Sequence, residues 1–400
     1  MHSLLNRNLL SLALGHFVVD LNANLLPVML PFVRASLGLS YAETGLIMTA
    51  FSLSSSLAQP VCGYIADRVG SRWLVVLPIA WMVVFMGLSG VVPGYLPLVG
   101  FVTLAGLGSA AYHPQGAAIA RRQAGANVAT AVSVYSLGGI AGYSLGPLIG
   151  ALAFTALGLG ATSLFVVPGL VAVGVMSLGL SRQASRPTPR SAATESKLAR
   201  PVPYLALAAL LLAVVARGWV EYGIVSYTPL RFAGELMRSS QLLFVFLFGE
   251  ALGTFAGGLI ADRFGRRRVI VISFLLLAPA VFLYNSLDGV GLYAVAAFGG
   301  LLLGSSVPVT IVMAQEALPR NVGMASGLMM GFAFGVAGIG VTINGLIADH
   351  YGLATSLALL ALLPLVGSLV ALTLPRAMEG EDPRGRRPSG ESAKPAASAR

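Results

Sequence analysis

GYIADRVGSRW at Gly63–Trp73 returns as GLIADRFGRRR at Gly258–Arg268. Each copy closes one long apolar run and opens another, and Asp67 and Asp262 stand 195 residues apart in a chain of 400. The two halves of the chain therefore read as a duplication. Fainter matches extend it: Gly108-Ser109 pairs with Gly304-Ser305, Arg121 with Glu316, and Gly142 with Gly338. Some of these are coincidences of a glycine-rich chain; the doubled IADR string is not.

Composition decides the medium. Hydrophobic residues make up 56% of the chain and charged residues 10%, where a soluble domain carries roughly 25% charge. Runs long enough to cross a bilayer, about 20 residues each, begin near Asn8, Tyr41, Arg72, Gly94, Asn127, Gly158, Pro203, Ser240, Arg267, Gly291, Asn321 and Gly352. The first is broken by His16, Asp20 and two prolines and has no cleavage site, so it reads as a span and not as a signal peptide. The expected fold is an all-α integral membrane protein of 12 transmembrane helices in two pseudo-symmetric six-helix bundles, 1–180 and 203–374. The stretch 181–202, rich in Arg, Ser, Pro and Ala, is expected to be a flexible cytoplasmic linker, and 375–400 a disordered cytoplasmic tail.

The net charge of +10 does not indicate nucleic acid, because the basic residues sit in short clusters between apolar runs and in the tail. They orient the chain. With both termini in the cytoplasm of a bacterial inner membrane, 21 of the 25 basic residues lie on the cytoplasmic side and three, Arg34, Arg231 and Arg238, on the other. Nucleotide binding is excluded, since Lys197 precedes Leu198 and Lys394 precedes Pro395, so neither lysine closes a phosphate loop. The single cysteine, Cys62, excludes an internal disulfide and a thiolate metal cluster. Four histidines scattered at His2, His16, His113 and His350 suggest neither an enzyme site nor a metal centre, and no cofactor is expected.

Gly63, Asp67, Arg68 and Gly70, repeated as Gly258, Asp262, Arg263 and Gly265 with Arg266, resemble the loop signature of the major facilitator superfamily. The resemblance covers all twelve runs. It implies a cytoplasmic loop whose aspartate engages the facing half and helps to close a cytoplasmic gate; Ser71 stands where an arginine is usual, which weakens the first copy. The alternative is that these charges only set topology. Gly142, Gly146, Pro147 and Gly150 resemble the glycine-proline signature of the superfamily's antiporters, and equally suit ordinary close helix packing. HFVVDLNANLLPVMLP at His16–Pro31 and AYHPQGAA at Ala111–Ala118 resemble the fosmidomycin-resistance-like branch, which implies a bacterial exporter acting as a monomer.

Ionisable residues inside spans are the functional candidates, because a charge at a helix centre costs roughly 2.5–3.5 kcal/mol on insertion scales. Counting about 1.5 Å per residue from the cytoplasmic ends, His16, Asp20, His113, Arg217 and Glu250 fall in one middle layer. His16, Asp20 and Asn24 follow at i, i+4 and i+8 on one helix face. Asp20 is expected to be the main protonation site with His16 tuning it, Glu250 the second candidate, and Glu221 a further member of the proton-coupling set. Arg217 and Glu221, also i and i+4, either pair with one another or leave Arg217 to hold an anionic substrate or a carboxylate. His113, before Pro114, is either a ligand or a helix hydrogen bond. Asn22, Gln59, Gln115, Tyr135 and Tyr143 would complete the cavity. The expected activity is proton-coupled export of a small molecule, with protons, that molecule and the lipid bilayer as partners. Proton-linked uptake of a sugar or organic anion, or a non-transporting receptor or scaffold, are the alternatives.

Overall fold

The computed structural model describes residues 7–69, 72–123, 128–181, 203–318 and 322–375. The expected linker beyond Ser181, the tail from Arg376 and Gly70 lie outside the described residues, and for Asp67 and Arg68 only the helical backbone is described. Every regular element among the described residues is helical. Ten helical stretches are long and apolar enough to cross a membrane.

Prolines and cap residues set where these stretches break. The first runs Arg7–Leu37 but divides at Asn24 into α1 (Arg7–Ala23) and α2 (Leu25–Leu37). Pro27 lacks the N–H that would bond the Ala23 carbonyl, so the helical ladder is interrupted there. Ser40 then starts α3 (Tyr41–Leu57) with a full capping box: its hydroxyl accepts from the Glu43 N–H, and the Glu43 carboxylate accepts from the Ser40 N–H. The chain continues through α4 (Gln59–Val69), the short apolar α5 (Trp73–Leu88), α6 (Tyr95–Arg122), α7 (Val128–Leu157) and, after a 3₁₀ segment, α8 (Val166–Gly179). The second half holds α9 (Tyr204–Arg231), α10 (Leu236–Phe264), α11 (Arg266–Ser286), α12 (Gly289–Ser305) and α13 (Val307–Ala317). It ends with α14 (Val322–Gly327), a π-helical turn, α15 (Ala333–Tyr351), α16 (Leu353–Leu359) and α17 (Leu362–Ala371). The break between α12 and α13 has the same cause as the first. Pro308 cannot bond the Gly304 carbonyl, and the Thr254 hydroxyl of α10 donates to that carbonyl at 3.3 Å.

In hydrocarbon, apolar side chains gain little by meeting one another, so helices associate where small residues let backbones touch. Along α10, a Cβ on Gly249, Gly253 or Gly257 would lie 2.4, 2.0 or 2.1 Å from the carbonyl oxygens of Ala297, Leu301 and Ser305 on α12. Gly138 and Gly142 of α7 meet the Ala13 and Phe17 carbonyl oxygens of α1 at 2.1 and 2.2 Å in the same sense. The duplication is visible in packing as well: a Cβ at Gly63 would face Pro114, and one at Gly258 would face Pro308. Two of the fainter matches do not share an environment. Gly108 faces the Pro78 carbonyl where Gly304 faces that of Glu250, and Gly142 lies on α1 where Gly338 lies on Ser52 of α3.

The two halves meet through α3 on α15, α7 on α10 and α2 on α9. The α3–α15 contact is hydrogen bonded at the end remote from Arg7. Asp349 accepts from the Tyr41 and Ala42 N–H groups at 2.7 and 3.0 Å, capping α3 from the other half of the chain. Thr49 donates to the Gly338 carbonyl at 2.6 Å, and Ser52 to that of Phe334 at 3.1 Å. At the Arg7 end α4 packs on α6 and α3. Asp262 and Arg263 are exposed there, and Arg266 pairs with Glu316 of its own half. Asp262 is thus exposed, while Ser56 and Leu57 at the end of α3 still pack on Gly335 of the other half. Gly265 makes the one-residue turn between α10 and α11 at φ 92°, in the region open to glycine.

Replacing Gly253 by Ala puts a methyl group against a backbone that cannot yield, at a cost of about 1–3 kcal/mol. Gly174→Ala, where a Cβ meets nothing within 4 Å, is the matched control. Thermal unfolding in detergent is expected to fall for the first and hold for the second.

Candidate functional site

Two polar clusters occupy the helix interiors, one in each half of the chain. The first joins α1, α6 and α7. Asp20 lies with Oδ2 3.2 Å from His16 Nε2 and Oδ1 3.1 Å from His113 Nε2. The far nitrogen of each ring is bonded to backbone: His16 Nδ1 to the Tyr135 carbonyl at 3.0 Å, His113 Nδ1 to the Ser109 carbonyl at 2.9 Å. The Tyr135 ring stacks on His16 with centroids 4.2 Å apart, and Tyr112 donates to the Leu12 carbonyl at 2.6 Å. Local sequence explains the convergence. The i, i+4 spacing of His16 and Asp20 sets them one above the other on α1, and Gly138 and Gly142 bring α7 onto that face. The expectation of scattered histidines is corrected here: Asp20 and His113 are 93 residues apart in sequence and in hydrogen-bonding contact in space.

The second cluster joins α9 and α10. Arg217 Nη1 lies 3.6 Å from Glu221 Oε2 and 3.9 Å from Glu250 Oε1, with the guanidinium carbon 5.0 Å from the Phe334 ring centre. Arg217 and Glu221 are 2% and 3% exposed, so the group is withdrawn from solvent. Tyr143 of α7 donates to Glu221 Oε1 at 2.9 Å and so carries a bond from the first half into the second. Arg217 Nε and Nη1, Glu221 Oε2 and Glu250 Oε2 are buried without hydrogen-bond partners. One guanidinium thus faces two carboxylates at distances too long for direct hydrogen bonds. Both sequence alternatives for Arg217 apply, since it pairs with Glu221 and also reaches Glu250.

The other expected site residues are placed as follows. Asn24 donates to the Asp20 carbonyl, Asn22 to that of Val18, Gln59 to that of Ser55 and Gln115 to that of Ala111, each four residues back in its own chain. Of these bonds only that of Asn24 reaches a cluster residue, and it ends on the Asp20 backbone. Gly142 and Gly146 pack on Phe17 and Asn24, and Gly150 on Leu25. The glycine-proline stretch is therefore the seat of α7 on the helix that carries Asp20. Sequence reasoning passed over Gly139, Ser109 and Phe334, which carry no charge to mark them. It also missed Asn344, which accepts from the Trp219 indole at 2.6 Å and donates to Ser356; a lone amide in an apolar run was the available signal.

The sequence profile of the Major Facilitator Superfamily matches residues 12–238 and 232–399. The chain is 31% identical to the fosmidomycin resistance protein of Escherichia coli, over 90% of each chain. It belongs to the major facilitator superfamily, in the fosmidomycin-resistance-like branch. An MFS-type transporter of Bacillus subtilis is 32% identical, over 91% of this chain and 92% of its own. Among solved structures, a mutant form of the nucleoside transporter NupG overlays with a TM-score of 0.77 at 12% identity, covering 92% of this chain and 100% of its own. A bacterial homologue of the lysosomal transporter Spinster, inward-facing and occupied, gives 0.75 at 15%, covering 91% and 95%. The protein is a multi-span membrane transporter and not an enzyme.

Arg217→Met leaves two buried carboxylates without their cation and is expected to cost about 3–5 kcal/mol. Adding Glu221→Gln and Glu250→Gln in the same chain should recover most of that loss, as read from thermal melting of the purified protein.

Proposed function

We propose that this transporter exports a small molecule across the bacterial inner membrane in exchange for protons, its two halves rocking about the central layer. In this reading the chain crosses twelve times, in two six-helix bundles. The ten long stretches are joined by α5 as a short crossing and by α3 with α4 as a broken one. Both termini lie in the cytoplasm, on the side to which the arginine clusters belong. The acting unit is one chain.

The single observation that carries the reading is the two-to-one ratio of Glu221 and Glu250 to Arg217. A buried site with one excess negative charge is costly in a low-dielectric layer. A proton on Glu250 restores neutrality, and so does a cationic or hydrogen-bond-donating group of a substrate. One acid with two mutually exclusive occupants is the elementary device of exchange, because each occupant leaves as the other arrives. Asp20, the first candidate from sequence, has both oxygens engaged by imidazoles, which leaves Glu250 as the acid whose surroundings ask for a proton. Tyr143 supports coupling between the halves, since its bond to Glu221 crosses the line along which they move.

Export is favoured over uptake by the names of related proteins. The E. coli relative is a fosmidomycin resistance protein, and a Bacillus subtilis relative at 23% identity is a multidrug efflux protein. Both signs of charge are present in the layer, so anionic and zwitterionic compounds suit it at least as well as lipophilic cations.

The test uses proteoliposomes enclosing a pH-sensitive dye and gradients of fosmidomycin and other phosphonates. Proton movement opposite to the compound is expected, and its loss in Glu250→Gln with binding retained. Movement in the same direction would make the protein a symporter; coupling that survives in Glu250→Gln would remove the assignment of that residue.

A further inference from the structure

The cluster at His16, Asp20 and His113 has a feature that proton exchange does not use. Each ring's Nδ1 faces a backbone carbonyl, of Tyr135 at 3.0 Å and of Ser109 at 2.9 Å. A carbonyl can only accept, so a hydrogen on each Nδ1 suits both rings; His113 Nδ1 also lies 3.2 Å from the Ser109 hydroxyl. In its neutral form such an imidazole presents the lone pair of Nε2, and both Nε2 atoms lie against the Asp20 carboxylate. With both rings neutral, three electron-pair donors converge on one another, and either a proton on Nε2 or a metal cation answers them.

We propose that His16 Nε2, the Asp20 carboxylate and His113 Nε2 form a binding site for one divalent transition-metal cation of the zinc class. Ligands held about 2.0–2.1 Å from a tetrahedral ion stand about 3.3 Å from each other; His16 Nε2 lies 3.2 Å from Oδ2 and His113 Nε2 3.1 Å from Oδ1 of Asp20, and one ligand atom from each residue lies within 4.8 Å of the other two, a spacing that small side-chain shifts close onto an ion. Imidazole bonded through its other N–H to a carbonyl is the outer arrangement that metal-ligating histidines carry, fixing ring orientation and tautomer. Two imidazoles with one carboxylate select zinc-like ions over calcium or magnesium, which take oxygen ligands.

Two further observations point to an ion. A Cβ at Gly139 would lie 2.5 Å from His16 Cε1 and Nε2 and 2.8 Å from Asp20 Oδ2, so only glycine leaves the mouth of the triad open. The His113 side chain is 28% exposed and that of Asp20 17%, which provides an entry path and a fourth coordination position for water or a substrate group. The filled site would carry one net positive charge, opposite in sign to the Glu221–Arg217–Glu250 cluster.

The experiment is a titration of the purified full chain, in detergent and without a polyhistidine tag, with Co²⁺ as the optical probe and Zn²⁺ as the competitor. One equivalent of Co²⁺ is expected to produce the visible absorption of a four-coordinate ion, bleached by Zn²⁺. That signal should vanish in Asp20→Asn and in His113→Gln and persist in a His2→Gln/His350→Gln control. No absorption and no Zn²⁺ competition at metal well above the protein concentration, or a signal unchanged in His113→Gln, would overturn the site. If either variant melts below the wild type, X-ray absorption of the zinc-loaded wild-type chain decides. Two imidazole nitrogens with oxygen in the first shell uphold the proposal, and any other ligand set ends it.

Discussion

A charge that cannot reach water must be answered by its neighbours, and this chain answers its interior charges within two small clusters. Asp20 is answered by two imidazoles, Glu221 and Glu250 by one guanidinium and a tyrosine hydroxyl. Each answer is drawn from more than one helix, so the polar interior is also a set of inter-helix ties. The position of α1 against α6, and of α9 against α10 and α7, is specified by groups that would be costly to leave alone. Transport function and helix arrangement are thus not separable in the middle layer.

Close backbone contact makes those ties possible. The glycines of α7 on α1 and of α10 on α12 remove the side-chain layer that would otherwise hold the helices apart. Glu250 lies in the second of these contacts: a Cβ on Gly304 would sit 2.0 Å from its carbonyl oxygen. The acid is thus fixed along α10 by packing on one side while its carboxylate faces Arg217 on the other. Rigid placement of a weakly satisfied group is how a site can respond to a proton without losing its shape.

The fold was legible because hydropathy and the doubled IADR string act over long stretches and need no partner to be seen. Counting residues along a helix places His16, Asp20, His113, Arg217 and Glu250 at similar depth. Partnerships across helices were not legible. Asp20 was matched to His16 by spacing, but its second imidazole arrives from α6, and nothing in a sequence fixes the rotation of one helix about another. Gly139 shows the same limit: its function is to leave room, and an absent side chain gives no sign of what it makes room for. The amides of Asn22, Gln59 and Gln115 had the composition of cavity residues, and each donates an N–H to a carbonyl four residues back. The gate aspartate was read as bridging the halves, and of the two copies Asp262 is exposed.

The cap that Asp349 places on α3 bears on how the molecule divides its time between shapes. The Tyr41 and Ala42 N–H groups of one half donate to a carboxylate of the other, so parting the halves at that end exposes a helix terminus as well as an acid. The structure shows the shape closed at the Asp349 end. Whatever drives the chain into a shape open at that end has to offset the loss of those bonds through its own preference for the open shape. A contact at the rim thus bears on the balance of shapes from well outside the two polar clusters.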